Sequence, residues 1–483
     1  MVFSASSQLI AQERTMGLLS YVPAETFEGY NLIYPHNQPN VYLLDNCGEV
    51  VHIWTDEVNW RPGNTAYLRE DGSLVKTKRD VSVTEDPIFA GGAGAIIEIR
   101  SWDNDLLWSF EMNDEVNRLH HDIEPLDNGN ILAIAWEYKT EAECLQAGRD
   151  TATTATDELW PEWVFEINPM TDEIVWEWHV WDHLVQDWDD TRENFGDVQQ
   201  NFRKIDANFD THDGDRDWLH FNSIDYNETF NMILLSVPYF NEIWIIDHTT
   251  TTEGAAGSTG GLSGNGGDLM FRWGNDLTYR SGTAEDQKLF FQHDATFGLD
   301  FLSPGDPNYN RMSVFNNRVG EDFSAAGFIT NNFDGYDGGF FMQNGVFLPS
   351  GLASTITHPV PTEVYSNGLS SVQALPNGNT LILSGRQGYA FEITQDDEIV
   401  WEYKVPLISG EPATQGEVLD INNNLTFRMT RYPADYAAFD GQDLIPTAWI
   451  ELEPDMEFCD NILTVEDLSS PQLSIYPNPT TNL

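Results

Sequence analysis

A four-strand pattern recurring about every 45 to 60 residues, and a histidine returning at the same place in successive repeats, predict an all-β fold: a six-bladed β-propeller. The repeat is clearest at Asp127-Asn-Gly-Asn-Ile-Leu132 and Pro376-Asn-Gly-Asn-Thr-Leu381, two near copies set in one larger frame. Each copy leads into a Glu-Ile strand, Val164-Phe-Glu-Ile167 or Ala390-Phe-Glu-Ile393. A closing strand then follows, Ile174-Val-Trp-Glu-Trp178 or Ile399-Val-Trp-Glu-Tyr403. Weaker closing strands stand at Val50-Val-His-Ile-Trp54, Leu106-Leu-Trp108 and Phe271-Arg-Trp273. Short β-branched and aromatic runs divided by Asn-Gly and Asp-Gly turns are strand and hairpin signals.

Counting closing strands places the blades at 28–59, 60–118, 119–185, 218–285, 290–367 and 368–410. The run Leu425-Thr-Phe-Arg-Met-Thr430 is expected to return and complete the ring, which removes open sheet edges. A pair of β-sandwiches is the competing architecture, and it gives the repeated tryptophan strands no purpose. Three stretches read as excursions: 182–217, 250–268 and 320–354. Loops of that length are functional rims or disordered segments. Only 182–202 is expected to hold a turn or two of helix.

Composition narrows the partners. The 483 residues carry 23 basic and 78 acidic side chains, a formal charge of −55. That field repels phosphate backbones and acidic membrane surfaces, so nucleic acid is excluded as a partner. Hydrophobic residues at 41% and 16 tryptophans argue for a packed core rather than a disordered chain. No run approaches the ~18 apolar residues of a membrane helix. Cys47, Cys144 and Cys459 have neither metal-type spacing nor a dense disulfide framework. One bridge, such as Cys47 to Cys459, is compatible with them, but sequence does not pair them.

The first strand of a propeller blade lies beside the axis. Histidine recurs there, in Leu119-His-His-Asp-Ile123, Leu219-His-Phe-Asn-Ser223 and Gln292-His-Asp-Ala295. Aligning the Asn-Gly motifs sets His121 against Ser370. Whether His120 or His121 faces the axis stays open, because a one-residue slip reverses every side chain. A lone histidine of this kind is usually structural. Three in register point to chemistry, since imidazole serves as nucleophile, proton carrier or metal ligand. Zinc would need a fourth ligand that the sequence does not supply, so no metal and no cofactor are expected. The run Asp210-Thr-His-Asp-Gly-Asp-Arg-Asp217 lacks a calcium-loop pattern and reads as a solvated acidic loop.

Several stretches together resemble the bacterial arylsulfotransferases. They are 119–132, Asp217-Trp-Leu-His-Phe-Asn-Ser-Ile-Asp-Tyr226, Asn241-Glu-Ile-Trp-Ile-Ile-Asp-His248, Phe291-Gln-His-Asp-Ala295 and 374–381. The likeness runs from about residue 17 to 445. It implies a six-bladed propeller that moves a sulfuryl group from an aryl sulfate to a phenolic acceptor without a nucleotide sulfate. By motif, His293 would be the nucleophile and form a sulfohistidine. His121 (or His120) and His220 would hold the sulfuryl oxygens and carry the phenolic proton. Asn222 is expected among the substrate-binding residues. The family's arginine after the second histidine has no counterpart here, because Pro238 stands in its place. Arg318, Arg386, Arg428 and Arg431 are the candidates to supply that charge, with Arg318 and Arg386 taken as substrate-binding.

The chain start resembles the back end of an export signal, and Leu473-Ser-Ile-Tyr-Pro-Asn-Pro-Thr-Thr-Asn482 resembles the opening of a type IX secretion sorting domain. The expected organisation is an N-terminal segment 1–16, a propeller 17–450, a linker 451–472 and a sorting segment 473–483. The product would be secreted or held at the cell surface by the type IX machinery. Two rival readings are a non-catalytic propeller that binds a ligand or surface, and a quinoprotein-like redox propeller. The second is weakened because blade-to-blade packing already explains the tryptophans.

Overall fold

Runs rich in valine, isoleucine and aromatic residues pair as antiparallel four-strand meanders, six in all. The computed structural model describes residues 14–83, 86–150, 158–212 and 214–462. The export-signal and sorting-segment readings fall on 1–13 and 473–483, outside the described residues. Blade 2 runs Trp60–Leu68, Leu74–Asp80, Ile96–Arg100, Leu106–Glu111, and blade 3 runs Asn117–Pro125, Ile131–Glu137, Glu162–Asn168, Glu173–His179. Blade 4 follows with Ser223–Asn227, Met232–Val237, Glu242–Asp247 and Phe271–Trp273. Blade 5 has His293–Thr296, Arg311–Asn316, Ala325–Thr330 and Ser354–Ile356. The chain is therefore the six-bladed propeller that the repeats predict.

Closure uses both ends of the chain. The returning strand Thr426–Pro433 becomes the inner strand of blade 1, beside Gly29–Pro35, Asn40–Leu44 and Val50–Thr55. Gly17–Tyr21 adds a fifth, outer strand to blade 6, pairing antiparallel with Ile399–Lys404. The repeat pattern shows the first closure but not the second, since Gly17–Tyr21 belongs to no repeat. A disulfide joins Cys47 to Cys459, fixing the segment that leaves the ring to blade 1.

The tryptophans explain the stacking of blades. Trp54 donates its indole N–H to Ser101 O at 3.1 Å, Trp178 to Gly267 O at 2.7 Å, and Trp401 to Asn46 O at 2.8 Å. Trp108 reaches Asp172 and Trp273 reaches Pro349 in the same way. A closing-strand indole thus buries its rings between two blades and hydrogen-bonds the next one, which satisfies the polar edge of a large apolar group.

The hub is held by a second repeat. Asp122 of blade 3 accepts from Ile224 N of blade 4 at 3.2 Å, and Asp294 of blade 5 accepts from Val372 N of blade 6 at 2.7 Å. Asp225 accepts in the same manner from Phe297 N.

Two expectations for the excursions need correction. Residues 182–202 hold no α-helix; a 3-10 turn, Val180–His183, opens the stretch and turns fill the rest. The segment 320–354 is not all excursion, because Ala325–Thr330 is the third strand of blade 5. Its Gly-Phe-rich composition hid a strand that is buried on both faces. Among the described residues no helix is long and apolar enough to cross a membrane.

Candidate active site

At the head of the inner strands the backbone does something unusual. Asn64, His121, His220, Asp294 and Ser370, in blades 2 to 6, all have positive φ: 119°, 50°, 61°, 57° and 97°. Left-handed geometry costs a residue with a side chain about 1 kcal/mol or more, and such strain collects at functional sites. The alignment of His121 with Ser370 therefore marks a real structural equivalence.

The kink gathers four buried histidines. The rings of His121 and His220 lie 4.5 Å apart, edge to face. His293 stands across from them, and Phe427 lies between, 6.0 Å from His121 and 6.3 Å from His293. His120 lies behind His121, stacked on Trp136 at 3.9 Å. Its Nδ1 is 2.9 Å from Nδ1 of His121, so the two rings share one proton. The open choice between the pair is settled in favour of His121 as the residue facing His220. Burial, and then the charge of His220, push both His120 and His121 well below the usual histidine range.

Second partners fix each ring. Asn317 Oδ1 accepts from His293 Nδ1 at 2.9 Å, while its amide nitrogen donates to Ser366 O and Leu369 O. Those two donations leave only the oxygen to face the histidine. The proton therefore sits on Nδ1, and Nε2 keeps its lone pair. Burial, then the neighbouring charge of His220, lower His293 to about 3. At neutral pH it is an uncharged imidazole. His220 donates through Nδ1 to Asp217 Oδ2 at 2.5 Å, and the other carboxylate oxygen accepts from Trp136 Nε1 at 3.1 Å. Reading Asp217 as the end of a solvated loop is thus corrected: it is buried beneath His220.

A glycine pair covers the site. Gly92 has φ 82°, and a Cβ there would stand 2.0 Å from His121 Cε1. Its carbonyl accepts from His121 N at 2.8 Å and from Asn64 Nδ2 at 2.8 Å.

The candidate arginines separate cleanly. Arg428 is consumed by ion pairs to Asp122 (2.8 Å) and Asp294 (2.7 Å) in the hub, and Arg431 by Glu392. Neither is free to hold a substrate anion. Arg386 and Arg318 have no carboxylate partner among the described residues. A Cβ on Gly368 would lie 3.4 Å from Arg386 Nη2 and 3.9 Å from His293 Cε1, so this glycine keeps the space between guanidinium and imidazole open. Arg386 Nε is buried without an acceptor among the described residues. Asn222 is wholly buried, and its amide nitrogen donates to Gln292 O at 2.8 Å, tying blade 4 to blade 5. No group of three or more potential metal ligands occurs among the described residues.

Beside the histidines opens a cavity of about 310 Å³, lined by Pro238, Tyr239, Phe291, Arg318 and His212 among others. Tyr239 stacks on His220 at 4.7 Å. Sequence reasoning missed Asp217, Asn317, Tyr239 and Gly92 as site residues. The only sequence signal lay in position: Asp217 stands three residues before His220, and Asn317 immediately before Arg318.

Residues 20–333 match the family model for arylsulfotransferases. The chain belongs to the arylsulfotransferase family. None of the curated proteins matches the sequence. Among solved structures, this arylsulfotransferase-family chain is similar to a protein of unknown function from Bacteroides caccae, at 12% identity and a TM-score of 0.40, covering 78% of this chain and 93% of that one. It is also similar to a streptogramin B lyase, at 13% identity and a TM-score of 0.37, covering 88% and 95%. A third is a catalytically inactive virginiamycin B lyase from Staphylococcus aureus with quinupristin, at 11% and 0.34, covering 78% and 85%.

Proposed function

We propose that this chain transfers a sulfuryl group from an aryl sulfate to a phenol through a sulfohistidine at His293, without nucleotide sulfate. The observation that carries the reading is the Asn317 hydrogen bond, which leaves His293 neutral with its Nε2 lone pair bare. A neutral imidazole is a competent nucleophile at pH 7, and sulfuryl transfer, like phosphoryl transfer, asks mainly for positioning and charge stabilisation.

In the first half-reaction Nε2 of His293 bonds to sulfur as the S–O bond to the aryl group breaks. The departing phenolate takes a proton from the imidazolium of His220, whose charge the Asp217 carboxylate supports. In the second half, the acceptor phenol returns a proton to His220 while its oxygen attacks sulfur. The N–S bond breaks, and His293 is neutral again. When His120 carries the shared proton, His121 is the Nε2–H tautomer and donates to a sulfuryl oxygen. Arg386 supplies the fixed cation on the same oxygens. Export is supported by the Cys47–Cys459 disulfide, a bond that persists in oxidising compartments. A non-catalytic binding propeller draws support from Pro238, and the placement of Arg386 beside His293 weighs against it.

The test is turnover of 4-nitrophenyl sulfate with phenol as acceptor and no nucleotide present. Wild-type protein is expected to release 4-nitrophenolate, and His293→Ala to lose at least about a thousandfold in kcat/KM, the scale of losing a nucleophile. Absence of turnover with any aryl sulfate, or full activity in the alanine variant, would overturn the assignment.

A further inference from the structure

The cavity beside the histidines has two kinds of wall. One is aromatic: Tyr239 stacks on His212 at 4.0 Å, and its ring lies 5.4 Å from Phe291. The other is a single cation. The guanidinium carbon of Arg318 lies 3.7 Å over the Phe291 ring. Its Nε and Nη2 donate only to the carbonyl of Asn367, at 3.3 and 3.1 Å. The nearest ionisable groups that act on it are Tyr365 and Tyr239, neither of them a carboxylate. In a chain with 78 acidic side chains, an arginine without an acidic partner is a conspicuous exception.

The walls are held in place. Phe291 N donates to Asn241 Oδ1 at 2.8 Å, and Arg318 N donates to Phe290 O at 3.0 Å. Phe291 itself lies 5.9 Å from His293. One aromatic ring thus separates the reacting imidazole from the Arg318 cation. The volume, about 310 Å³, sits at the low end for small-molecule pockets, a size for one aromatic ring and a substituent.

We infer that Arg318 recognises an anionic substituent on the arene, so that the preferred acceptors are phenols carrying a carboxylate at the far end of the ring. This rests on the transfer reading of the same site. Arg386 serves the sulfuryl group at His293, and Arg318 serves the distal charge of the acceptor, with the ring lying between Tyr239 and Phe291. Carboxylate and guanidinium match as a two-pronged pair, and a planar cation stacked on an aromatic face is pre-organised for it.

Paired acceptors test the inference. With 4-nitrophenyl sulfate as donor, kcat/KM is measured for 4-hydroxyphenylacetate and for uncharged 4-cresol, in wild type, Arg318→Gln and Arg318→Lys. Wild type is expected to favour the acid by about ten- to a hundredfold, the equivalent of one charge-assisted hydrogen bond. The ratio should collapse towards one in Arg318→Gln and return in part in Arg318→Lys. Calorimetric binding of the two phenols to the same proteins supplies a readout that needs no turnover. No preference in wild type by either measurement, or a preference that survives in Arg318→Gln, overturns the inference. Loss of turnover with both acceptors, while binding stays selective for the acid, overturns the transfer reading and leaves the role of Arg318 standing.

Discussion

At the level of single residues, what matters is how each imidazole is oriented. His293 was visible in the sequence through its His-Asp pairing with His121 and its place in the repeat. Its tautomer was not, because it is set by Asn317, 24 residues away on the far end of another strand. Removing that acceptor should leave the ring free to choose either tautomer. Asn317→Leu is expected to lower kcat by about ten- to a hundredfold, the usual cost of losing a partner that orients a reactive histidine. The donor KM should move less. Asn317→Asp, which keeps an acceptor opposite Nδ1, should recover part of the rate, whereas a purely structural role for Asn317 would give no such rescue. The acid limb assignable to His293 should emerge only as pH nears 3, since burial keeps it neutral above that. Asp217 was hidden for a different reason. It sits in an acidic run that looks solvated, and only tertiary packing beneath Trp136 and His220 withdraws it from water.

Elements place these residues. The inner strands begin with a left-handed residue in five blades, and that turn brings the side chains to the rim of the hub. Histidine, asparagine, aspartate and serine occupy the position rather than glycine, so the strained backbone is tolerated in exchange for a functional side chain. The Asn-Gly frames made the inner strands legible. The covering loop at Gly92 was not, since a glycine pair gives no signal of what passes over it. A Cβ on Gly92 would collide with the ring of His121 at 2.0 Å, and φ 82° disfavours any side chain. Gly92→Ala is therefore expected to displace His121 and cut transfer by at least about tenfold, with stability falling by about 1–3 kcal/mol. Calorimetric unfolding and the 4-nitrophenolate assay read the two effects separately. Wild-type activity in that variant would show that His121 has no need of its present position.

The whole molecule explains why distant histidines meet. Motifs at 119–123, 219–223 and 292–295 lie about a hundred residues apart in sequence, and ring closure by Thr426–Pro433 and Gly17–Tyr21 brings them to one axis. The number of blades and the inner return strand followed from repeats that each carry their own turn chemistry. The outer strand did not, because Gly17–Tyr21 has no partner in sequence and is recruited only by the exposed edge of Ile399–Lys404. Charge separates at the same scale. The hub below the histidines spends Arg428 on Asp122 and Asp294, while Arg318 and Arg386, with no carboxylate partner, face the cavity and the nucleophile. A molecule of charge −55 thereby keeps one cationic end to its axis. The central claim is that this end works by covalent capture at His293. Incubation with 4-nitrophenyl sulfate and no acceptor, followed by peptide mass spectrometry under alkaline conditions, tests it most directly. The account predicts one sulfonated histidine per chain, on the peptide containing His293, lost when phenol is added. An active enzyme whose modification falls on another residue, or never forms, would contradict it.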